Sequence, residues 1–271
     1  MLNDLIQMVT KSVNIPNFNS DNPNCIQPTM AQKTALVTGA AHGIGLATVK
    51  ILAEAGYHVF LTAREVEEAQ SATQNLQSQS LKVEFIELDT SLNEQVHAAV
   101  QQVSSKVQCL DALINNAGVN MFDRSIPRDS IPLDDYYQTF EANFFGAVRV
   151  TQAFLPLLKN SPAGRIVNVS SYHASLTLNS DPASDVYDGK FGPYNASKSA
   201  LNSYTNHMTY ALKETNIVVN CVHPGWVRTN MGGDNAPMTP EEGAQSSIIM
   251  ATWGDNPPNG TFTHLGQELP W

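Results

Sequence analysis

The chain has 271 residues and a formal net charge of −10, with 42% apolar and 15% charged residues. This composition is typical of a globular protein, and its acidity disfavours nucleic-acid binding, which requires basic surface to neutralise phosphates. Three widely spaced cysteines predict neither a disulfide framework nor a metal site, and the absence of a long apolar run or a secretory pattern predicts a cytoplasmic protein without a membrane span.

Residues 1–30 differ in composition from the rest of the chain. Apolar residues between positions 2 and 13 recur at helical spacing, and residues 14–29 are rich in Asn, Pro and Ser, which is typical of a linker. Two interpretations remain open: a short amphipathic helix that docks on the body of the protein, or a loosely ordered extension. Residues 31–271 are predicted to form a single dinucleotide-binding and catalytic domain.

From residue 34 onward, apolar runs alternate with stretches of helical periodicity. The runs predicted as strands are 34–38, 58–62, 83–88, 111–115, 165–169 and 217–222. The stretches predicted as helices are 46–55, 65–79, 92–107, 133–159 and 194–214. This alternation predicts an α/β fold, a single doubly wound parallel sheet of about seven strands with helices on both faces.

A glycine-rich turn, Thr38-Gly-Ala-Ala-His-Gly-Ile-Gly45, follows the first predicted strand and precedes a helix. Gly39, Gly43 and Gly45 stand where the chain must turn sharply. Because they lack side chains, backbone N–H groups at the helix N-terminus can approach a pyrophosphate. A strand, a glycine turn and a helix in this order predict a dinucleotide site in a Rossmann-type domain.

Tyr194 and Lys198 are four residues apart on a predicted helix and therefore share one face. A free tyrosine has a pKa near ~10. A nearby ammonium and the positive ring of an oxidised nicotinamide favour the phenolate and lower that pKa. The phenol then serves as an acid in carbonyl reduction and as a base in alcohol oxidation.

Further motifs follow the glycine turn in a fixed order. They are Asn115-Asn-Ala-Gly118, Asn143, the pair Ser170 and Ser171, Tyr194-Asn-Ala-Ser-Lys198, Pro224-Gly225, and Thr229. Together with the spacing of the glycine turn, this set resembles the short-chain dehydrogenase/reductase family over residues 34–271. The long stretch between Ser171 and Tyr194, with Leu61-Thr-Ala-Arg64 and Glu268-Leu-Pro-Trp271, is similar to NADPH-dependent carbonyl reductases.

The resemblance implies roles for individual residues. The implied catalytic group is Asn143, Ser171, Tyr194 and Lys198. The implied cofactor-binding group is Gly39, His42, Gly43, Ile44, Gly45, Arg64, Asp89, Thr90, Asn116, Ala117, Gly118, Tyr194, Lys198, Pro224, Gly225, Val227 and Thr229. Ser171 fits the family spacing better than Ser170, which is expected to be its structural neighbour. No metal is implied.

The end of the second predicted strand bears on the choice of cofactor. An acidic residue there would bind the ribose 2′-hydroxyl of NAD(H), but position 63 is Ala and Arg64 follows. A guanidinium binds a 2′-phosphate with two charge-assisted hydrogen bonds, so NADP(H) is expected over NAD(H), with weak support from His42. Asp89 resembles a family position that contacts adenine, and it also fits a turn or N-cap residue.

Two stretches of loop chemistry, near 172–193 and 230–245, are expected to shape the substrate pocket. Tyr172, Trp226, Met231 and Met238 are candidate pocket walls, and ordinary core or surface positions are the alternative for each. The first loop also bears on assembly. The family implies a tetramer or a dimer, whereas the long loop makes a monomer an alternative.

The sequence therefore predicts an NADPH-dependent reductase that transfers a hydride to the carbonyl of a small-molecule aldehyde or ketone. One alternative is an NAD-dependent alcohol dehydrogenase working in the oxidative direction. Another is a non-catalytic NADP(H)-sensing regulator, which the presence of both Tyr194 and Lys198 disfavours. Sugar epimerases and dehydratases share the tyrosine–lysine spacing but usually have a different glycine spacing.

Overall fold

A computed structural model describes residues 32–121, 123 and 125–271. The helix and linker predicted within residues 1–30 lie outside this part of the chain. No helix in the described part is long and apolar enough to cross a membrane.

The centre of the molecule is one eight-stranded sheet with the order β3-β2-β1-β4-β5-β6-β7-β8. The strands are β1 Thr34–Val37, β2 His58–Ala63, β3 Val83–Glu87, β4 Ala112–Asn115, β5 Arg165–Val169, β6 Val218–Val222, β7 Phe262–His264 and β8 Gln267–Glu268. All neighbouring pairs are parallel except β7 and β8. The predicted sheet of about seven parallel strands is confirmed, and β8 adds an antiparallel edge strand that was not predicted.

Eight α-helices connect and extend these strands within the described residues. They are α1 Gly43–Glu54, α2 Val66–Ser78, α3 Asn93–Ser104, α4 Leu133–Phe140, α5 Gly146–Lys159, α6 Leu176–Ser180, α7 Pro193–Ala211 and α8 Pro240–Thr252. The stretch 133–159, predicted as one helix, is α4 and α5 joined by a π-helical turn over Glu141–Phe145. Helix α8 was not predicted as a helix, and it takes up the end of the predicted loop near 230–245.

Two apolar cores cover the two faces of the sheet, because side chains alternate along each strand. Ala35 and Val37 of β1 point to the core that α1, α2 and α8 cover. Leu36 points to the other core, where α3, α5 and α7 contribute residues such as Phe154 and Met208. The predicted arrangement of helices on both faces is confirmed. In such a sheet the carboxyl ends of the strands share one edge, and the candidate site lies there.

Candidate active site

The turn between β1 and α1 is held against the segment that follows β4. The Thr38 hydroxyl accepts the N–H groups of Asn116 and Ala117, each at 3.0 Å. The Asn116 amide in turn donates to the carbonyls of Thr38 and Gly39, each at 2.9 Å. Gly39 has a φ of +61°, and a Cβ there would lie 2.8 Å from the Ala117 Cα, so only glycine fits.

The N-terminus of α1 is suited to an anion. Its N-cap residue, His42, makes no side-chain capping hydrogen bond, and the first turn contains no acidic residue. The first N–H groups of a helix lack partners within the helix and lie at the positive end of its dipole. A pyrophosphate can therefore be bound by backbone donors at this point.

A cleft of about 1440 Å³ runs along this edge of the sheet, and every residue of the predicted cofactor-binding group lines it. Ser171 also lines it, whereas Asn143 does not. Of the predicted substrate walls, Tyr172, Trp226 and Met231 line the cleft. The expectation for Met238 is not met, because Met238 does not line the cleft and instead pairs with Val227 in an isolated bridge.

One end of the cleft is charged. The Arg64 Nε lies 2.6 Å from Oε1 of Glu65, and the two side chains are 63% and 45% exposed. Glu65 was not among the predicted site residues, although its place next to Arg64 is visible in the sequence. Asp89 accepts the backbone N–H and the hydroxyl of Ser91 at 2.9 and 2.6 Å. It is therefore a turn residue and not the N-cap of α3, which is Leu92.

Tyr194 and Lys198 lie on α7 at the opposite end of the cleft. Pro193 is the first residue of this helix, a position where the missing N–H of proline costs nothing. Lys198 is buried, and its ammonium donates to the Val169 carbonyl at 2.7 Å. The Lys198 Nζ is 6.0 Å from the centroid of the Tyr194 ring.

Of the two serines after β5, Ser171 is the one that contacts Tyr194. A side-chain hydrogen bond joins the two residues. The Ser171 hydroxyl also accepts the His173 N–H at 3.2 Å, which caps a short 3-10 turn over Tyr172–Ala174. The Ser170 hydroxyl is directed into the protein, where it donates to Oδ1 of Asn202 at 2.6 Å.

Burial is the largest influence on the pKa values of Tyr194 and Lys198. It raises the pKa of Tyr194, against a smaller lowering by the hydrogen bond with Ser171. It lowers the pKa of Lys198 to about 8, against a smaller opposing effect of Cys221. The lowering of the Tyr194 pKa expected from Lys198 is therefore not found in the chain alone.

Asn143 connects two parts of the site from the π-helical turn. Its amide accepts the Val119 N–H at 2.7 Å and donates to the Val119 carbonyl at 2.9 Å. It also donates to the Ser197 hydroxyl at 3.0 Å, and Ser197 donates to the Tyr194 carbonyl at 2.9 Å. Asn143 thus ties the segment after β4 to the first turn of α7.

The segment after β6 closes over the glycine turn. A Cβ at Gly43 would lie 3.2 Å from Cγ2 of Thr229, so the Thr229 side chain lies close to the Gly43 backbone. The Arg228 guanidinium donates to the carbonyls of Ala236 and Pro237, and the Trp226 indole donates to the Gly232 carbonyl at 2.8 Å. These bonds all lie within the segment and fold it back on itself.

The doubly wound sheet, the glycine turn at its carboxyl edge and the tyrosine–lysine pair beside it define the class of α/β oxidoreductases. Residues 33–239 match the family model for the short chain dehydrogenases, and the chain belongs to that family.

Named relatives place the chain within the family. It is 37% identical over 226 residues to the short-chain dehydrogenase anuI of Penicillium roqueforti, covering 81% of this chain and 88% of that one. It is 31% identical over 280 residues to Carbonyl reductase [NADPH] 1 of Mus musculus, covering 89% and 99%. The NADPH-bound carbonyl reductase from chicken fatty liver superposes with a TM-score of 0.76 at 29% identity, covering 89% and 99%. The chain is thus an oxidoreductase close to the carbonyl reductases.

Proposed function

We propose that this protein is an NADPH-dependent reductase of aldehydes or ketones and that Tyr194 is its general acid. One observation carries the proposal. The hydrogen-bonded pair of Tyr194 and Ser171 lines the same cleft as an uncapped helix N-terminus behind a glycine turn. A dinucleotide bound along this cleft would have its phosphates at the N-terminus of α1 and its reactive ring near Tyr194 and Ser171. Bound NADPH supplies the hydride.

The residues of the cleft fit such a cofactor. Backbone N–H groups of α1 would hold the pyrophosphate, and Arg64 would bind a 2′-phosphate. Gly118 keeps space open at the other end, since a Cβ there would lie 3.0 Å from Asn143 Oδ1 and 3.2 Å from Lys198 Nζ. Lys198 would hold the nicotinamide ribose from this space.

Three side chains have separate roles in the reduction of the carbonyl group. The Tyr194 hydroxyl gives its proton to the carbonyl oxygen, and the Ser171 hydroxyl donates a hydrogen bond to that oxygen as negative charge develops. The Lys198 ammonium favours charge on the phenol oxygen after the proton leaves. Asn143 supports them indirectly, through Ser197 and the backbone of Tyr194.

The mouth of the cleft favours an apolar substrate. Met121, Tyr137, Trp226 and Met231 line it, and each leaves more than two-fifths of its surface exposed. Large apolar side chains exposed together commonly mark a binding surface. An aromatic or alicyclic carbonyl compound fits these walls better than a small charged one.

Glu65 favours a second candidate, an NAD-dependent alcohol dehydrogenase. Its carboxylate lines the cleft beside Arg64. A carboxylate at this end can accept hydrogen bonds from ribose hydroxyls and repels a 2′-phosphate. The two side chains therefore oppose each other in the choice of cofactor, and we expect Arg64 to prevail because Glu65 is already paired with it.

The cofactor choice is tested by kcat/KM with NADPH and with NADH for the unmodified protein and for Arg64→Ala. The unmodified protein is expected to prefer NADPH. Arg64→Ala should lose about 10- to 100-fold with NADPH and little with NADH, because hydrogen bonds between charged groups contribute ~1.5–3 kcal/mol. Glu65→Gln should improve NADPH use by up to ~5-fold, the range of an exposed ion pair.

Glu67→Gln is the matched control for Glu65→Gln, because it removes the same charge two residues further along, in the first turn of α2. Glu67→Gln should leave kcat/KM unchanged both with NADPH and with NADH. Equal or better use of NADH by the unmodified protein would instead favour the alcohol dehydrogenase.

The activity should depend on pH through Lys198. Because burial lowers the pKa of Lys198 to about 8, its ammonium is present below that pH and is lost as pH rises through it. If the ammonium supports Tyr194, kcat/KM for carbonyl reduction should fall above about pH 8. A profile that stays level from neutral pH to well above this value would show that the charge on Lys198 is dispensable.

A further inference from the structure

Helix α7 is joined to β5 by a row of side-chain hydrogen bonds that ends at Ser171. Tyr194, Lys198 and Asn202 are spaced by four residues and therefore share one face of the helix. Lys198 bonds the Val169 carbonyl, Asn202 bonds the Ser170 hydroxyl, and Tyr194 bonds Ser171. Consecutive residues at the end of β5 are thus each held by a different turn of α7.

The bond between Ser170 and Asn202 is short, at 2.6 Å, and both residues are buried. Ser170 is also held to the sheet, because its N–H donates to the Val222 carbonyl at 2.7 Å. Ser171 follows directly and lies beyond the end of β5. The direction in which the chain leaves the strand therefore depends on how Ser170 is anchored.

Asn202 is a poor choice for packing alone. Among the described residues its Nδ2 finds no hydrogen-bond partner, although the side chain is buried. Burying an amide with an unpaired donor costs stability, whereas a leucine of similar size would not carry that cost. The amide therefore carries a cost in stability, and the hydrogen bond that it makes among the described residues is with the Ser170 hydroxyl.

We infer that Asn202 is a positioning residue: by anchoring Ser170 it fixes the end of β5, and so holds the Ser171 hydroxyl against the Tyr194 hydroxyl. This inference rests on the proposed function, in which Ser171 and Tyr194 meet the carbonyl oxygen together. Asn202 itself does not line the cleft.

The test compares Asn202→Leu, Ser170→Ala and their double variant with Thr151→Val. The control removes another buried hydroxyl that an asparagine bonds, that of Thr151 on α5, which accepts the Asn115 amide of β4 at 2.9 Å. Each single variant at Asn202 or Ser170 should lower kcat about tenfold, less than the ~10²-fold that a 1 Å misplacement can cost. The double variant should be no worse than the weaker single variant, because both changes break one link.

Two further readouts separate positioning from a loss of stability. The KM for NADPH should stay within about twofold of the unmodified value, because the glycine turn and Arg64 are untouched. In the pH profile of alcohol oxidation, the pH at which Tyr194 loses its proton should rise in Asn202→Leu. The reason is that the hydrogen bond with Ser171, which lowers the pKa of Tyr194, would be weakened. Thr151→Val should change neither kcat nor this pH.

Crystal structures of the variants give an answer that requires no turnover. In Asn202→Leu the Ser171 hydroxyl should have moved away from Tyr194. Unchanged positions, with kcat and pH profile equal to those of Thr151→Val, would overturn the positioning role while leaving the proposed reductase intact. Should Asn202→Leu not fold, Ser170→Ala decides alone, because it removes the same hydrogen bond and only one oxygen atom. An unmodified protein without carbonyl reduction would count against both proposals.

Discussion

Replacing Tyr194 with phenylalanine should lower kcat for carbonyl reduction by about 10²- to 10⁴-fold, the usual contribution of a positioned general acid. The substitution removes the hydroxyl that shares a hydrogen bond with Ser171. The ring stays, and so does Lys198 with its bond to the Val169 carbonyl. Binding of NADPH, measured by the change in its fluorescence, should therefore change by less than about threefold.

Tyr210→Phe is the matched control for this substitution. Tyr210 lies on the same helix, α7, but is 70% exposed and does not line the cleft. Its hydroxyl has no place in the proposed proton transfer, so kcat should be nearly unchanged. A Tyr194→Phe protein that keeps a tenth or more of the activity would show that another group supplies the proton.

Ser171→Ala should have the second-largest effect, a loss in kcat of about 10²- to 10³-fold, the usual effect of removing one donor to a developing oxyanion. The structure separates the two serines, since Ser171 contacts Tyr194 and Ser170 contacts Asn202. Ser170→Ala should therefore cost about tenfold only, as a change in position and not in chemistry.

Steady-state kinetics of the two serine variants with one carbonyl substrate show which serine hydroxyl meets the carbonyl oxygen. Both proteins should bind NADPH like the unmodified protein. A larger loss from Ser170→Ala than from Ser171→Ala would contradict the assignment of the hydroxyl that meets the carbonyl oxygen.

Much of the fold could be predicted because its periodic signals are local. Strands β1 to β6 are apolar runs bounded by polar residues, and helices of ten or more residues separate most of them. The last part of the sheet has no such signal. Strands β7 and β8 contain three and two residues, too few for any period to show. They form because β6 leaves an edge on which they can pair.

Helix α8 was missed although a signal for it is present. Thr239 and Glu242 form a capping box, in which each side chain bonds the backbone of the other residue, and Pro240 follows the cap. Its buried face consists largely of small residues such as Gly243, Ala244 and Ser247, because it packs closely on α1 and the sheet. Without large apolar residues at helical spacing, periodicity alone does not reveal it.

The residues that line the cleft could be predicted from the spacing of the motifs, but the pairings and pKa values of their side chains could not. Every predicted cofactor residue lines the cleft because the motifs end strands whose carboxyl ends share one edge. The pairing of Arg64 with Glu65 depends on side-chain conformation. The pKa of Lys198 depends on burial, and the bond between Ser170 and Asn202 joins residues 32 positions apart. These contacts depend on the folded structure and cannot be predicted from local sequence patterns.

The most direct measurement follows the hydrogen atom itself. NADPH carrying deuterium at C4 of its nicotinamide ring is incubated with the protein and an aromatic ketone, and the alcohol is analysed by mass spectrometry and NMR. The proposed function predicts one deuterium on the carbinol carbon of a single enantiomer, formed by the unmodified protein and not by Tyr194→Phe. Alcohol without deuterium, or NADPH that remains unconsumed with every aldehyde and ketone offered, would contradict it.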